Sequence, residues 1–164
     1  MLLRLDEAGI PMKHVFQLSD ELENNPERVA LTQALTLNTS KPRMGLKGTY
    51  GLFGSEDWWE SIRQRKMPQL VLSGVVQRAY VAGQDEKGMN NTIDLLLDDG
   101  SICSVGIYVN DKEDSKLFRP GFRADVIYAL DELKQQPAAD GRVNYSKIAL
   151  EMAVSLQPVV PLCL

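Results

Sequence analysis

The chain has 164 residues, of which 44% are hydrophobic, 24% charged and 7% aromatic. A domain of that size buries roughly two thirds of its unfolded surface and needs no disulfide or metal to fold, so collagen-like, disordered and disulfide-stapled classes are excluded. With 18 Lys+Arg against 22 Asp+Glu the net charge is -4, which weighs against a sequence-independent grip on nucleic-acid phosphates.

The texture changes near Met67-Pro68, where helix-like patterning gives way to period-two alternation. That break divides an N-terminal helical segment, residues 1–67, from a β-rich segment, residues 68–164, the two expected to form one compact unit. Lys13 to Leu18 reads as a short strand or extended segment, and Ser19 to Asn24 as a single helical turn. Asn25-Pro26-Glu27 is a helix start, with a capping side chain, a proline in the first turn and an acid beside it. Val29, Ala30, Leu31, Ala34 and Leu35 give that helix an apolar face, and Asn38-Thr39-Ser40 with Pro42 ends it. Ser55 caps a second helix. Glu56 and Asp57 occupy its first turn, where the helix dipole favours acids, and Trp58, Trp59 and Ile62 lie on its body, which is expected to run to about Lys66.

Five strand candidates follow. Leu70 to Ala82 is long and carries Gly74, which suits a bend or bulge. Asn91 to Leu97 turns Ile93, Leu95 and Leu97 to one face, and Asp98-Asp99-Gly100-Ser101 makes a tight hairpin. Ile102 to Val109 turns Cys103, Val105, Ile107 and Val109 inward. Asp111 to Phe118 has the make-up of a short helix, and Arg119-Pro120-Gly121 of a turn. Phe122 to Leu133 alternates Phe122, Ala124, Val126, Tyr128 and Leu130 against Arg123, Asp125, Ala129 and Asp131, and Gln135 to Tyr145 is a loop. In Lys147 to Gln157 the composition favours helix, but Ile148, Leu150, Met152, Val154 and Leu156 alternate with the rest, and period outranks propensity.

Three antiparallel strands, a short helix and two more strands predict an α+β fold in which N-terminal helices pack on a mainly antiparallel five-stranded β-barrel. The residues Leu72-Ser-Gly-Val-Val, Thr92-Ile-Asp-Leu-Leu-Leu-Asp-Asp-Gly-Ser101 and Pro120-Gly-Phe-Arg-Ala-Asp-Val-Ile-Tyr-Ala-Leu130 resemble the OB-fold pattern. An SH3-like barrel or an open α+β sheet gives nearly the same string of strands. The stretch Gly51-Leu-Phe-Gly-Ser-Glu-Asp-Trp-Trp59 is similar to small uncharacterised proteobacterial proteins. Neither resemblance carries catalytic residues across.

Candidate chemistry is sparse. His14 is the one histidine, and Cys103 and Cys163 are far apart with no metal-ligand spacing, so a nucleophile-base pair, a metal site and a cofactor are not expected. Asp111, Glu113 and Asp114 lack an EF-hand's spacing. Gly45, Gly48, Gly51 and Gly54 enter the Ser55 helix, where backbone N–H groups could cradle a phosphate, but Glu56 and Asp57 would repel it. The plainer expectation is a tight loop with Leu46, Tyr50, Leu52 and Phe53 packed down.

Adjacent helical positions point about 100 degrees apart, so Trp58 and Trp59 cannot both face one core, and one is expected in a groove or interface. The outer face of the second and third barrel strands would carry Thr92, Asp94, Leu96, Ser104, Gly106 and Tyr108. With no Lys or Arg, that face suits a protein better than a phosphate track. The leading expectation is a non-catalytic protein-binding module, an adaptor, immunity or self-associating protein, that binds through Trp58, Trp59, Leu96 and Tyr108. The alternative is an oligonucleotide or oligosaccharide binder using Lys41, Arg43, Lys47, Arg78, Tyr80, Arg119 and Arg123. Residues 41–66 set six cations against three acids, a local +3. An enzyme with a site near the Gly45–Gly54 loop and His14 is the remaining class. The start Met1-Leu-Leu-Arg-Leu-Asp-Glu is broken by acids before it forms a signal-type apolar run, and no stretch reaches membrane-span length, so a cytoplasmic location is expected.

Overall fold

The computed structural model describes residues 2–83, 89–134, 141 and 143–159. Six strands form one sheet: β1 (Met12–Gln17), β2 (Gln69–Tyr80), β3 (Thr92–Leu97), β4 (Ile102–Gly106), β5 (Phe122–Glu132) and β6 (Tyr145–Pro158), in the order β1-β6-β5-β2-β3-β4. The helices are α1 (Leu18–Asn24), α2 (Pro26–Leu37) and α3 (Glu56–Arg63), with 3-10 turns at Leu5–Ala8 and Lys112–Leu117. The α+β class and the antiparallel plan therefore hold. The sheet differs from the expected barrel in having six strands and an open order, because Met12–Gln17 joins it as an edge strand against β6.

The chain clusters into two compact units that interleave in sequence, whereas the pattern break suggested a division at residue 67. The first holds the described residues of Met1–Leu18, Val71–Ile127 and Ala149–Leu164; the second holds those of Ser19–Leu70 and Tyr128–Ile148. Much of the expected loop from Gln135 to Tyr145 lies outside the described residues.

Local chemistry explains the helix boundaries. The Asn25 side chain accepts from the Arg28 amide, and the Ser55 hydroxyl accepts from the Trp58 amide, so both predicted caps are formed. α3 stops at Arg63, short of the expected Lys66. There the Lys66 amide donates back to the Ser61 carbonyl and the Arg65 amide to that of Ile62, while Arg65 takes a left-handed φ of 58°. This is a Schellman-type end built on an arginine instead of the usual glycine, so no sequence signal marks it.

The expected alternation fails in β5 and β6. Ala124 to Ala129 and Ile148 to Ser155 are buried continuously, and Asp125, Asp131 and Glu151, on faces expected to meet water, are buried too. Both strands are interior to the sheet, where two covered faces remove the polar–apolar contrast. The register irregularity in β2 lies between Val76 and Arg78, a few residues beyond Gly74.

In the first unit, β1 pairs with β6 from Met12↔Ser155 to Gln17↔Glu151. The buried Glu151 carboxylate accepts from the Leu2 amide at 2.8 Å and the Leu3 amide at 2.9 Å, and meets His14 Nε2 at 3.2 Å. Gln17 Nε2 lies 3.1 Å from His14 Nδ1. Burial alone would raise the Glu151 carboxyl, but the His14 contact and the Leu3 and Leu2 amides together hold it below its ordinary 4.5.

A carboxyl depressed on folding stabilises above its unfolded value and loses that contribution as pH falls through the folded value. Glu151→Gln is therefore expected to lower unfolding free energy by about 1–3 kcal/mol at pH 7, the worth of charge-assisted bonds to a buried group. Urea melts compared at pH 7 and pH 3 should show the gap between variant and parent closing at the lower pH.

Candidate protein-binding face

In the first unit, β3 sends Ile93 and Leu95 into the core and Thr92, Asp94 and Leu96 outward. The registers bring three rows together on that outer face: Val75–Leu96–Ile102, Arg78–Asp94–Ser104 and Tyr80–Thr92–Gly106. A one-residue slip reverses the facing of a strand, and the extra residue between Val76 and Arg78 supplies that slip. It puts Arg78, which strict alternation with Val76 would bury, onto the solvent side opposite Asp94.

The middle row is closely bonded. Arg78 Nε donates to Asp94 Oδ2 at 2.7 Å, while the Ser104 and Tyr80 hydroxyls donate to Oδ1 at 2.7 and 3.0 Å. The Arg78 and Ser104 bonds hold the Asp94 carboxyl below the ordinary aspartate range, and the Arg78 guanidinium also lies 4.0 Å over the Tyr80 ring. The first row is apolar and open. Val75 and Leu96 are half-buried, and Ile102, at 62% exposure, ends the row in solvent.

Tyr108 limits the third row. Its ring lies 3.0 Å from where a Cβ on Gly106 would stand, so a side chain there would crowd the phenol against β4, and the ring tilts against Phe16 at 5.9 Å. The expected strand to Val109 ends at Gly106. Beyond it the Asn110 amide donates to the Val15 carbonyl, the Gln17 amide donates to Asn110 Oδ1, and Asn110 Nδ2 donates to the Gln17 carbonyl. Asn110 thus acts as a clasp on the outer edge of β1.

In the second unit, Trp58 is 0% exposed and donates its indole hydrogen to Asp131 Oδ2 at 2.9 Å. Trp58 is a core residue and is unavailable to a partner. Trp59 is half-buried, edge-on to Trp58 at 4.9 Å. The glycine loop packs down, with Leu46 and Phe53 buried and a Cβ on Gly51 meeting the Trp58 amide at 3.0 Å. Beside α3 lies an open groove of about 360 Å³ lined by Tyr50, Asp57, Glu60 and Lys66 among others.

The cations of the nucleic-acid alternative are dispersed or engaged. Arg78 pairs with Asp94, Arg123 Nε pairs with Asp125 at 2.9 Å, and Lys47 lies 3.9 Å from Glu132. Arg119 donates to the Lys116 carbonyl, and Lys41 and Arg43 are exposed in the loop after α2. Cations matched by carboxylates release few counterions and contribute little to phosphate affinity. His14 is bound to Glu151 and Gln17 in the first unit, while the glycine loop belongs to the second. Among the described residues no cluster of His, Cys, Asp and Glu could hold a metal ion, and no helix is long and apolar enough to cross a membrane.

The residues that sequence reasoning passed over are Val75 and Ile102. Parity of the alternation already placed Ile102 outward, but only the register shows that it extends the Leu96 row.

An open apolar row beside a prearranged ion pair is chemistry that protein-docking faces use. The chain matches the family model of Immunity protein RhsI2 over residues 12–155, and it belongs to that family. No curated relative matches it. Family membership makes it an immunity protein, a binder of a protein toxin, in keeping with the protein-binding expectation.

Burial raises the Asp131 carboxyl above its ordinary 3.8, and its Oδ1 has no hydrogen-bond partner among the described residues. An acid raised on folding holds its proton in the native state while the unfolded chain releases it, so its stabilisation is lost as pH rises past the ordinary value. Asp131→Asn, which keeps the acceptor for Trp58, should flatten that fall in urea midpoint above pH 4. Trp58→Phe should cost about 1–3 kcal/mol by leaving the carboxyl unpaired.

Proposed function

We propose that this protein neutralises its toxin by occupying it with the outer face of β2, β3 and β4, with Val75, Leu96 and Ile102 as the apolar anchor and the Arg78–Asp94 pair beside them. The observation that carries the reading is the exposed Ile102 continuing a half-buried apolar row next to a carboxylate held by three donors. Arginine is among the residues enriched at binding hot spots, and Arg78 lies in the row next to this apolar one. Tyr108 supports the end of this face, and Trp59 offers a separate half-buried contact in the second unit. The adaptor and self-association readings give way to toxin binding.

The strand order supports an OB-like ancestry for this face. Counting β2 to β6 as barrel strands one to five, the order five-four-one-two-three is that of an OB barrel opened between strands three and five. OB-type surfaces bind through strands two and three, which here are β3 and β4. Cys103, a free thiol, fits a reducing compartment, and the cytoplasm is our reading of where the toxin is met.

Leu96→Arg and Ile102→Arg are expected to weaken toxin binding at least thirtyfold by calorimetry, about 2 kcal/mol each. Both side chains lie on the outer face, Ile102 exposed and Leu96 half-buried, so the circular dichroism melt should stay near that of the parent. Unchanged affinity in both variants would move the interface elsewhere.

A further inference from the structure

The phase of the β3–β4 ladder follows from its two ends. The Leu97 amide donates to the Ser101 carbonyl and the Ile107 amide to the Asn91 carbonyl. In an antiparallel pair, bonded and non-bonded positions alternate. Cys103 and Val105 therefore turn their backbone groups to β3, while Ile102, Ser104 and Gly106 turn theirs away. β4 ends the sheet order, and of those outward groups the Ser104 carbonyl has the Cys103 thiol 3.9 Å away.

The two edges of the sheet are treated differently. On β1 the outward groups of Val15 and Gln17 are taken by Asn110, and Lys13 reaches Asp114 at 2.7 Å. Folded proteins guard an edge with such cover, or with lysine, proline or inward charge. The β4 sequence Ile102-Cys-Ser-Val-Gly106 has none of these. This edge borders the outer face directly, since Ile102 and Ser104 belong to both.

We propose that the β4 edge is a strand-pairing site, and that its occupant is an extended segment of the toxin with basic residues at the end beside the β3–β4 hairpin. This inference rests on the reading of the outer face as the toxin-binding surface. Charge selects the occupant: Asp98 and Asp99 are both exposed at that hairpin, and the chain as a whole carries -4. The Ser101 hydroxyl and amide keep the Asp99 carboxyl below the ordinary aspartate range, so it stays charged. The side chains select it too, because Cys103 and Val105 on one face and Ile102 on the other ask for apolar residues on both sides of the incoming strand. Main-chain bonds then supply affinity and the flanking charges supply direction and register.

The probe is the toxin domain whose growth arrest this chain relieves on co-expression. Amide hydrogen exchange is read on the full chain, alone and in the complex. In the free protein the Ile102, Ser104 and Gly106 amides should exchange at least tenfold faster than those of Cys103 and Val105, and in the complex that difference should vanish. Ser104→Pro removes an outward amide without touching the ladder to β3, and Ser104→Ala controls for the lost hydroxyl bond to Asp94. The proline variant should bind at least tenfold more weakly than the alanine variant. If Leu96→Arg releases the toxin while the three amides stay fast in the complex, the edge inference is overturned and the face reading stands. If neither Leu96→Arg nor Ile102→Arg affects binding, the face reading fails and the inference falls with it. Protection that appears without toxin, together with a concentration-dependent dimer in light scattering, would assign the edge to a second copy and overturn the proposal.

Discussion

Burial of β5 and β6 on both faces is the constraint on which the rest of this structure depends. A polar group placed there loses water and must find its partner within the protein, at a cost of about 1–3 kcal/mol if it fails. Four side chains on these two strands meet that demand, and each ties down something else. Asp131 receives the Trp58 indole and so fixes α3 in the second unit. In the first unit Asp125 receives the Ser73 hydroxyl of β2, Ser155 receives the Arg123 amide, and Glu151 gathers Leu2, Leu3 and His14. Each of these bonds sets the position of a segment that apolar packing alone would leave free to slide.

The same constraint separates the covered strands of the first unit from its open face. Along their buried stretches β5 and β6 have no free face, and β1 is clasped by Asn110. The outer side of β2, β3 and β4 keeps both an apolar row and a prearranged ion pair in contact with solvent. An immunity protein must hold its toxin tightly enough to silence it, which calls for a rigid anchor. On the proposed toxin-binding face the Asp94 carboxylate holds Arg78, Tyr80 and Ser104 in place.

Much of the fold was legible because its signals are local. The Asn25 and Ser55 caps, the Asp-Gly hairpin and the strand reading of Lys147 to Gln157 all follow from neighbouring residues. The arginine-built end of α3 was not legible, since a left-handed arginine carries no compositional mark. The site divides in the same way. Leu96 and Tyr108 could be placed from alternation, whereas the burial of Trp58 depends on an aspartate 73 positions along the chain. Arg78 read as a free cation because its partner, Asp94, lies across a β-bulge on another strand.

The sequence by itself determined the α+β class, the caps, the hairpin and the outward parity of β3 and β4, because each depends on a spacing of a few residues. Only the tertiary structure decided that β1 joins the sheet, that β5 and β6 hide their acids, and that β4 ends the sheet order. These depend on which strands become neighbours, a long-range choice governed by the summed burial of whole faces, and no local pattern encodes that sum.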